Sequence, residues 1–293
     1  MTDITPMSKG AVVVTGASSG MGRACALRLS QAGYHVFAGV RKEQDALALK
    51  RQAPASLTPI FLDVTDADSV AAAALVSESV GEAGLVGLLN CAGIGVTAPM
   101  ELLPIAELRR QFEINVVGQV AVTQAFLPLI RRAKGRIINV SSVGGRLTIP
   151  FGGPLCASKY AIESINDALR MELRPWGIQV VLVAPGSIRT PAVDKLVQDS
   201  EVMLNTFPPE GARRYAAAYR AFVQTFVKHE ESGAPPEAMA AVVLKALSAR
   251  VPRTRYPVGP LSRRLPWLSR VLPARVFDQV KVRLFGVPQH VEA

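Results

Sequence analysis

The run Ala11-Val12-Val13-Val14-Thr15 leads straight into Gly16, Gly20 and Gly22, and a helical pattern begins there. A short unbroken apolar run reads as a strand buried on both faces. Residues 22–32 then space Ala24, Ala26, Leu27 and Leu29 as a helix does, and Gly33 suits its end. The same alternation continues. Tyr34–Val40, Pro59–Asp63, Leu85–Asn90, Arg136–Ser141 and Ile178–Ala184 read as strands. Helices are expected over about 67–80, 105–133 and 157–174. Tyr256-Pro257-Val258-Gly259 reads as a last strand at an edge, where proline is tolerated. The strands are apolar throughout rather than alternating, so both faces are covered. That predicts a doubly wound α/β fold, a parallel sheet of about seven strands with helices on both faces. Ligands of such sheets gather beyond the carboxyl ends of the strands.

Length and composition set the limits. With 293 residues, 49% of them hydrophobic, the chain can bury one large core. Residues 1–249 read as one domain. Within it, about 191–235 is irregular and proline-containing (Pro191, Pro208, Pro209, Pro235) and reads as an inserted lid. Residues 250–293 read as a basic extension on or flanking that domain. Nine Lys or Arg face two acids there, so this stretch carries +7 of the chain's +10. The body is close to neutral and no nucleic-acid motif accompanies the tail, so nucleic acid is not an expected partner. The tail mixes arginines with Leu, Val, Phe and Trp267. Packing on the domain is its first reading, and peripheral contact with anionic lipid its second. No run of about 18 apolar residues predicts a membrane span, and the N-terminus has no secretory pattern. Cys25, Cys91 and Cys156 are scattered, so neither a metal site nor a disulfide framework is expected, and a reducing cytoplasm fits.

The glycine loop suggests a phosphate site. Gly16 and Gly20 let the backbone approach a pyrophosphate, and the helix that follows presents free N–H groups and a partial positive charge. The end of the second strand bears on which dinucleotide. Phe37–Val40 carries no acid to bond a ribose 2′-hydroxyl, and Arg41 follows at once. A guanidinium suits a 2′-phosphate, with Ser18 as a further donor. The expected cofactor is therefore NADP(H) in preference to NAD(H).

Thr15-Gly16-Ala17-Ser18-Ser19-Gly20-Met21-Gly22 resembles the TGxxxGxG signature of the classical short-chain dehydrogenases/reductases, a family of Rossmann fold. Further landmarks follow in order. Asp63-Val64 resembles the family's adenine-contacting pair. Asn90-Cys91-Ala92-Gly93 resembles its NNAG motif, with Cys91 replacing the second Asn. Asn115 and Ser142 match its catalytic Asn and Ser. Pro185-Gly186, then Ile188 and Thr190, match the motif that holds the nicotinamide carboxamide. The resemblance implies cofactor contacts from Gly16, Ser18, Ser19, Gly20, Met21, Gly22 and Arg41, from Asp63, Val64, Asn90, Ala92 and Gly93, and from Lys159, Pro185, Gly186, Ile188 and Thr190. It implies hydride transfer between an alcohol and a carbonyl, and a homodimer or homotetramer built on the 105–133 and 157–174 helices.

One landmark departs. The family's YxxxK motif reads Leu155-Cys156-Ala157-Ser158-Lys159 here. Position 155 stands 13 residues after Ser142, the usual interval, so Leu155 occupies the tyrosine position. Leucine can neither ionise nor hydrogen-bond. Positioned acid–base catalysis contributes roughly 10²–10⁴-fold, so ordinary redox chemistry is expected to be impaired or altered. Tyr160 lies about 140° away around the helix and is a poor substitute; His35 and His229 sit after no relevant strand end. The alternatives are a cofactor-binding protein without turnover, or a non-redox enzyme on the same scaffold. Leu147, Ile149, Phe151, Val193 and Leu196 are the expected substrate lining, and their apolar character suggests a lipophilic substrate. Pro150–Arg174 resembles the branch with 17-beta-hydroxysteroid and retinol dehydrogenases.

Overall fold

The computed structural model describes residues 9–53 and 55–288. Seven strands form one parallel sheet: β1 (Ala11–Val14), β2 (His35–Val40), β3 (Leu57–Phe61), β4 (Leu85–Asn90), β5 (Arg136–Val140), β6 (Gln179–Pro185) and β7 (Arg255–Val258). Their order is β3-β2-β1-β4-β5-β6-β7. The direction of winding reverses between β1 and β4, which opens a crevice at their carboxyl ends. Thr15 Oγ1 ties that point together by accepting from the N–H groups of Cys91 and Ala92, each at 2.9 Å. The sheet is the doubly wound α/β arrangement that the sequence implied.

One face of the sheet is covered by α1 (Gly20–Gln31), α2 (Glu43–Gln52) and α9 (Pro236–Ser248). Their Cys25, Leu29, Leu49, Met239 and Val243 pack on Val12, Val14 and Val181. The other carries α3 (Ala67–Ser77) and α5 (Gly118–Ala133), where Val70, Val122, Phe126 and Ile130 meet Val13, Leu88 and Ile137. Each such fully buried side chain contributes about 1.5–3 kcal/mol. α4 (Ile105–Phe112) runs into α5 through a π turn, Glu113–Val117. The whole stretch Ile105–Ala133 is long and apolar enough to cross a bilayer, but half of its most apolar window is buried in the protein. α6 (Gly153–Glu172) follows the loop after β5.

The structure corrects several expectations. β3 begins at Leu57 and ends before Asp63. Pro59 lies inside it, which is possible because β3 is the sheet edge and a missing N–H there goes unmissed. The sequence did not reveal α2, which buries only Leu49 and so shows little apolar periodicity. The stretch 191–235 is not irregular. It holds α7 (Ala192–Leu204) and α8 (Pro209–Glu231). Its prolines stand at or just before helix starts, where an absent N–H costs nothing. Beyond β7 come α10 (Arg264–Val271) and α11 (Ala274–Leu284). Leu265, Phe277 and Phe285 join Tyr219 and Phe222 of α8 in a third core.

β7 is bolted to the site by a charge cluster. Glu163 of α6 accepts from Ser141 Oγ at 2.9 Å and pairs with Arg146 at 3.4 Å and with Arg255 of β7. Burial, with Arg146 and Arg270 nearby, pushes the Arg255 pKa down to about 10. Removing the carboxylate leaves two arginines facing each other. Glu163→Gln is expected to cost about 3 kcal/mol, read as a lower denaturation midpoint with unchanged slope.

Candidate active site

Two cavities meet at the carboxyl ends of the strands. The first is a groove of about 320 Å³ along β1, β2 and β4. Gly16, Ser18, Ser19, Gly20, Met21 and Gly22 form one wall; Arg41, Asp63, Val64, Ala92, Gly93 and Thr190 form others. Gly16 has φ 65°, and a Cβ there would stand 2.8 Å from the Ala92 Cα. A Cβ on Gly22 would stand 2.2 Å from the Gly16 carbonyl oxygen. The loop is thus a tight turn that admits no side chain at Gly16 or Gly22, leading into the N-terminus of α1, and these residues fit a pyrophosphate. At the far end Arg41, largely exposed, lies 4.0 Å from Asp63. Asp63 is oriented by the Thr65 N–H and hydroxyl, at 3.0 and 2.8 Å.

The second cavity, about 290 Å³, continues from the first past Met21, Cys91 and Gly93. Ser142, Leu155, Lys159, Pro185, Gly186, Ile188 and Thr190 line it, with Val193 and Leu196 from α7. Its lining is mainly apolar. Lys159 Nζ is buried and donates to the Val140 carbonyl at 2.9 Å. Burial lowers its pKa to about 8, against the raising effect of Cys91. The Ser142 side chain caps a short turn by accepting from Gly144 N–H at 3.1 Å. Leu155 faces this cavity with no polar atom.

Not every expected residue reaches a cavity. Asn115, carried on the π turn, is fully buried and spends its amide as a clamp. Its Nδ2 donates to the Ile94 carbonyl at 2.9 Å and to Ser158 Oγ at 3.1 Å, and its Oδ1 accepts from Ile94 N–H at 2.8 Å. It fixes the loop after β4 against α6, with Gly93 between it and Lys159. Asn90 does not face the groove; its Nδ2 bonds Thr123 and Asn139 beneath the sheet, both at 2.9 Å. Leu147 and Phe151 are core residues, Phe151 packed on Tyr219 and Phe222. Ile149 reaches only a small cavity of about 60 Å³ behind Leu155. Tyr160 points outward, 44% exposed. His35 bonds Thr58 beside Phe37.

Sequence reasoning missed Cys91 and Ile94 as wall residues, and Phe226 and Glu230, which α8 brings in from afar. It also set His229 aside, although His229 lines the small cavity. No local spacing signals a residue delivered by a helix forty positions beyond its neighbour Ile188. Among the described residues no cluster of three or more His, Cys, Asp or Glu could hold a metal.

Comparison with known proteins agrees with this geometry. The family model for short chain dehydrogenase matches residues 10–201. The chain belongs to the short-chain dehydrogenase family. It is 37% identical to retinol dehydrogenase 5 of Mus musculus over 94% of this chain and 88% of that one. It is 34% identical to the NADPH-dependent 3-dehydrocapnine reductase of Ornithobacterium rhinotracheale, over 92% and 94%. Its fold superimposes on a short chain dehydrogenase of Burkholderia cenocepacia in complex with NADP, with a TM-score of 0.70, 25% identity and 94% and 97% coverage. As a short-chain dehydrogenase the chain is an oxidoreductase of Rossmann fold, and the family binds NAD(P).

Proposed function

We propose that this short-chain dehydrogenase interconverts a lipophilic alcohol and its ketone or aldehyde with NADP(H), by a proton transfer altered at Leu155. The observation that carries the reading is the joined pair of cavities. A glycine-rich cradle opens to Arg41 at one end and, at the other, onto an apolar chamber holding Ser142 and Lys159. The relatives named for retinol and for an NADPH-dependent reduction support the same substrate class and cofactor.

Each residue then has a task. The loop Gly16–Gly22 holds the pyrophosphate, and Arg41 pairs with the 2′-phosphate. Pro185–Thr190 orients the nicotinamide carboxamide. The bound nicotinamide supplies the hydride. Lys159 gives its ammonium to the ribose hydroxyls, and Ser142 donates to the substrate oxygen. Leu155, Val193 and Leu196 exclude water and hold an apolar substrate. The same reading includes a homodimer or homotetramer through α5 and α6, whose neighbourhood exposes Val117, Tyr160 and Met171. It also includes a cytoplasmic protein with peripheral lipid contact through α10, where Trp267 and Val271 stand exposed among Arg263, Arg264 and Arg270.

The test couples binding to turnover. NADPH is expected to bind about 10–100-fold more tightly than NADH, as a charge-assisted bond of ~1.5–3 kcal/mol implies, and Arg41→Ala is expected to erase the difference. Equal binding of both, untouched by Arg41→Ala, would remove the 2′-phosphate assignment. NADPH consumption is then followed with retinal, a steroid ketone and a long-chain aliphatic ketone, for this chain and for Leu155→Tyr. Binding without turnover in either protein would favour a cofactor-binding role, the reading that the apolar face of Leu155 supports.

A further inference from the structure

The chamber lacks a tyrosine but not an acid. Glu230, in the last turn of α8, lines the main cavity together with Ser142, Leu155, Lys159, Gly186 and Ile188. It also lines the small cavity behind Leu155, again with Ser142 and Leu155. It is the one carboxyl common to both chambers among the described residues. Its Oε2 accepts from the Ile188 N–H at 3.2 Å. Ile188 belongs to the segment assigned to the nicotinamide carboxamide, so the carboxyl stands at the reacting end of the site. No ion pair holds Glu230 among the described residues.

We propose that Glu230 is the proton donor and acceptor of this enzyme, in the role that Leu155 cannot fill. The inference rests on the oxidoreductase reading above. In the reducing direction the hydride forms a C–H bond at the carbonyl carbon. The Glu230 O–H bond breaks, its proton forms the alcohol O–H, and the carboxylate regains a proton from water. Oxidation is the reverse, with the carboxylate as base.

The protonation state suits the task. Burial raises the Glu230 pKa to about 7, outweighing the opposing bonds from Ile188 N–H and Ser187. The charged and titratable groups around the two chambers are Lys159, Cys91, Arg110, Lys195 and Asp199 on the main side, and His229 and Cys156 on the small side. A group near neutrality is the most effective general acid–base. With a raised pKa, Glu230 favours folding fully below about pH 4.5 and loses that contribution as pH rises through 7.

The experiment uses Glu230→Gln, which keeps an oxygen for the Ile188 N–H, alone and with Leu155→Tyr. The readouts are NADPH oxidation with the ketone panel, NADPH affinity, and cofactor-free melting temperature against pH. The expected result is a loss of roughly 10²–10⁴-fold in turnover for Glu230→Gln, with NADPH affinity kept. The Glu230→Gln/Leu155→Tyr protein is expected to recover turnover. The melting temperature of Glu230→Gln is expected to rise above the parent's as pH passes from 4.5 to 7. Turnover unaffected by Glu230→Gln would overturn the assignment and leave the oxidoreductase reading standing. So would turnover in Leu155→Tyr with none in the parent. No turnover in any of the proteins would overturn both. A melting difference constant with pH would remove the raised carboxyl and, with it, the proposal.

Discussion

Lys159→Met is expected to yield a protein that folds better and turns over about 10³-fold more slowly. The two effects have different causes. Lys159 is buried in the wall of the second cavity, where its Nζ donates to the Val140 carbonyl. Burial pulls its pKa down to about 8 from 10.5, so the folded state holds this proton less firmly than the unfolded chain. Below pH 8 both states carry the charge and folding bears the full penalty. Between pH 8 and 10.5 the folded protein sheds the proton first and the penalty fades; above 10.5 it is gone. Methionine removes the penalty and the hydrogen bond together, for a net gain of about 2 kcal/mol near pH 7. Thermal melts at pH 7 and pH 10.5 check this, with the gain present only at the lower pH. The kinetic loss has a separate origin, since in the proposed reaction the ammonium is the group that meets the ribose hydroxyls. NADPH affinity should fall along with turnover. Unchanged kinetics in Lys159→Met would show that the charge has no part in the reaction.

Leu155→Tyr is expected to change how rate depends on pH, and the change is large at the alkaline end. In the parent, reduction needs protonated Glu230, whose pKa is about 7. By pH 9 about one molecule in a hundred retains that proton, so its loss alone should lower reduction by about 10². Oxidation should do the opposite and rise through pH 7, because it needs the carboxylate. A phenol one helical turn before Lys159 holds its proton to much higher pH. Loss of the Lys159 ammonium, whose pKa is about 8, costs both proteins about 10-fold at pH 9, so Leu155→Tyr should fall only by that factor and exceed the parent there by roughly 10²-fold. Initial rates of NADPH oxidation from pH 5.5 to 9.5 decide it. Parallel profiles for the two proteins would mean that neither residue carries the proton.

The cofactor half was legible in the sequence because its information is local. Gly16, Gly20 and Gly22 stand within seven residues, Arg41 follows directly on β2, and Asp63 comes two residues after β3. The parallel sheet was legible for the same reason, since Leu85–Asn90 and Arg136–Ser141 are apolar runs whose limits the chain itself marks. The substrate half was not. Leu147 and Phe151 look like lining because they are apolar and near the site, yet the third core claims them. Glu230 looks like a surface acid near a helix end, and only the fold brings it to Ile188. Asn90 and Asn115 share a third difficulty. A buried amide and a site amide have the same letter, and only the partner atoms separate clamp from contact.

The small cavity behind Leu155 has a consequence for how such an enzyme diversifies. Its walls come from Leu261, Leu265 and Phe285 as well as from Ile149 and Phe226. Among the described residues, those from 254 onward help to wall this cavity and none of them lines the groove along β1, β2 and β4. The two halves of the site answer to different parts of the gene. The tail residues on this cavity can change without disturbing the groove, within the limits set by the third core they belong to, while Gly16 and Gly22 admit no side chain. Relatives that share the groove can therefore differ in the small cavity behind Leu155.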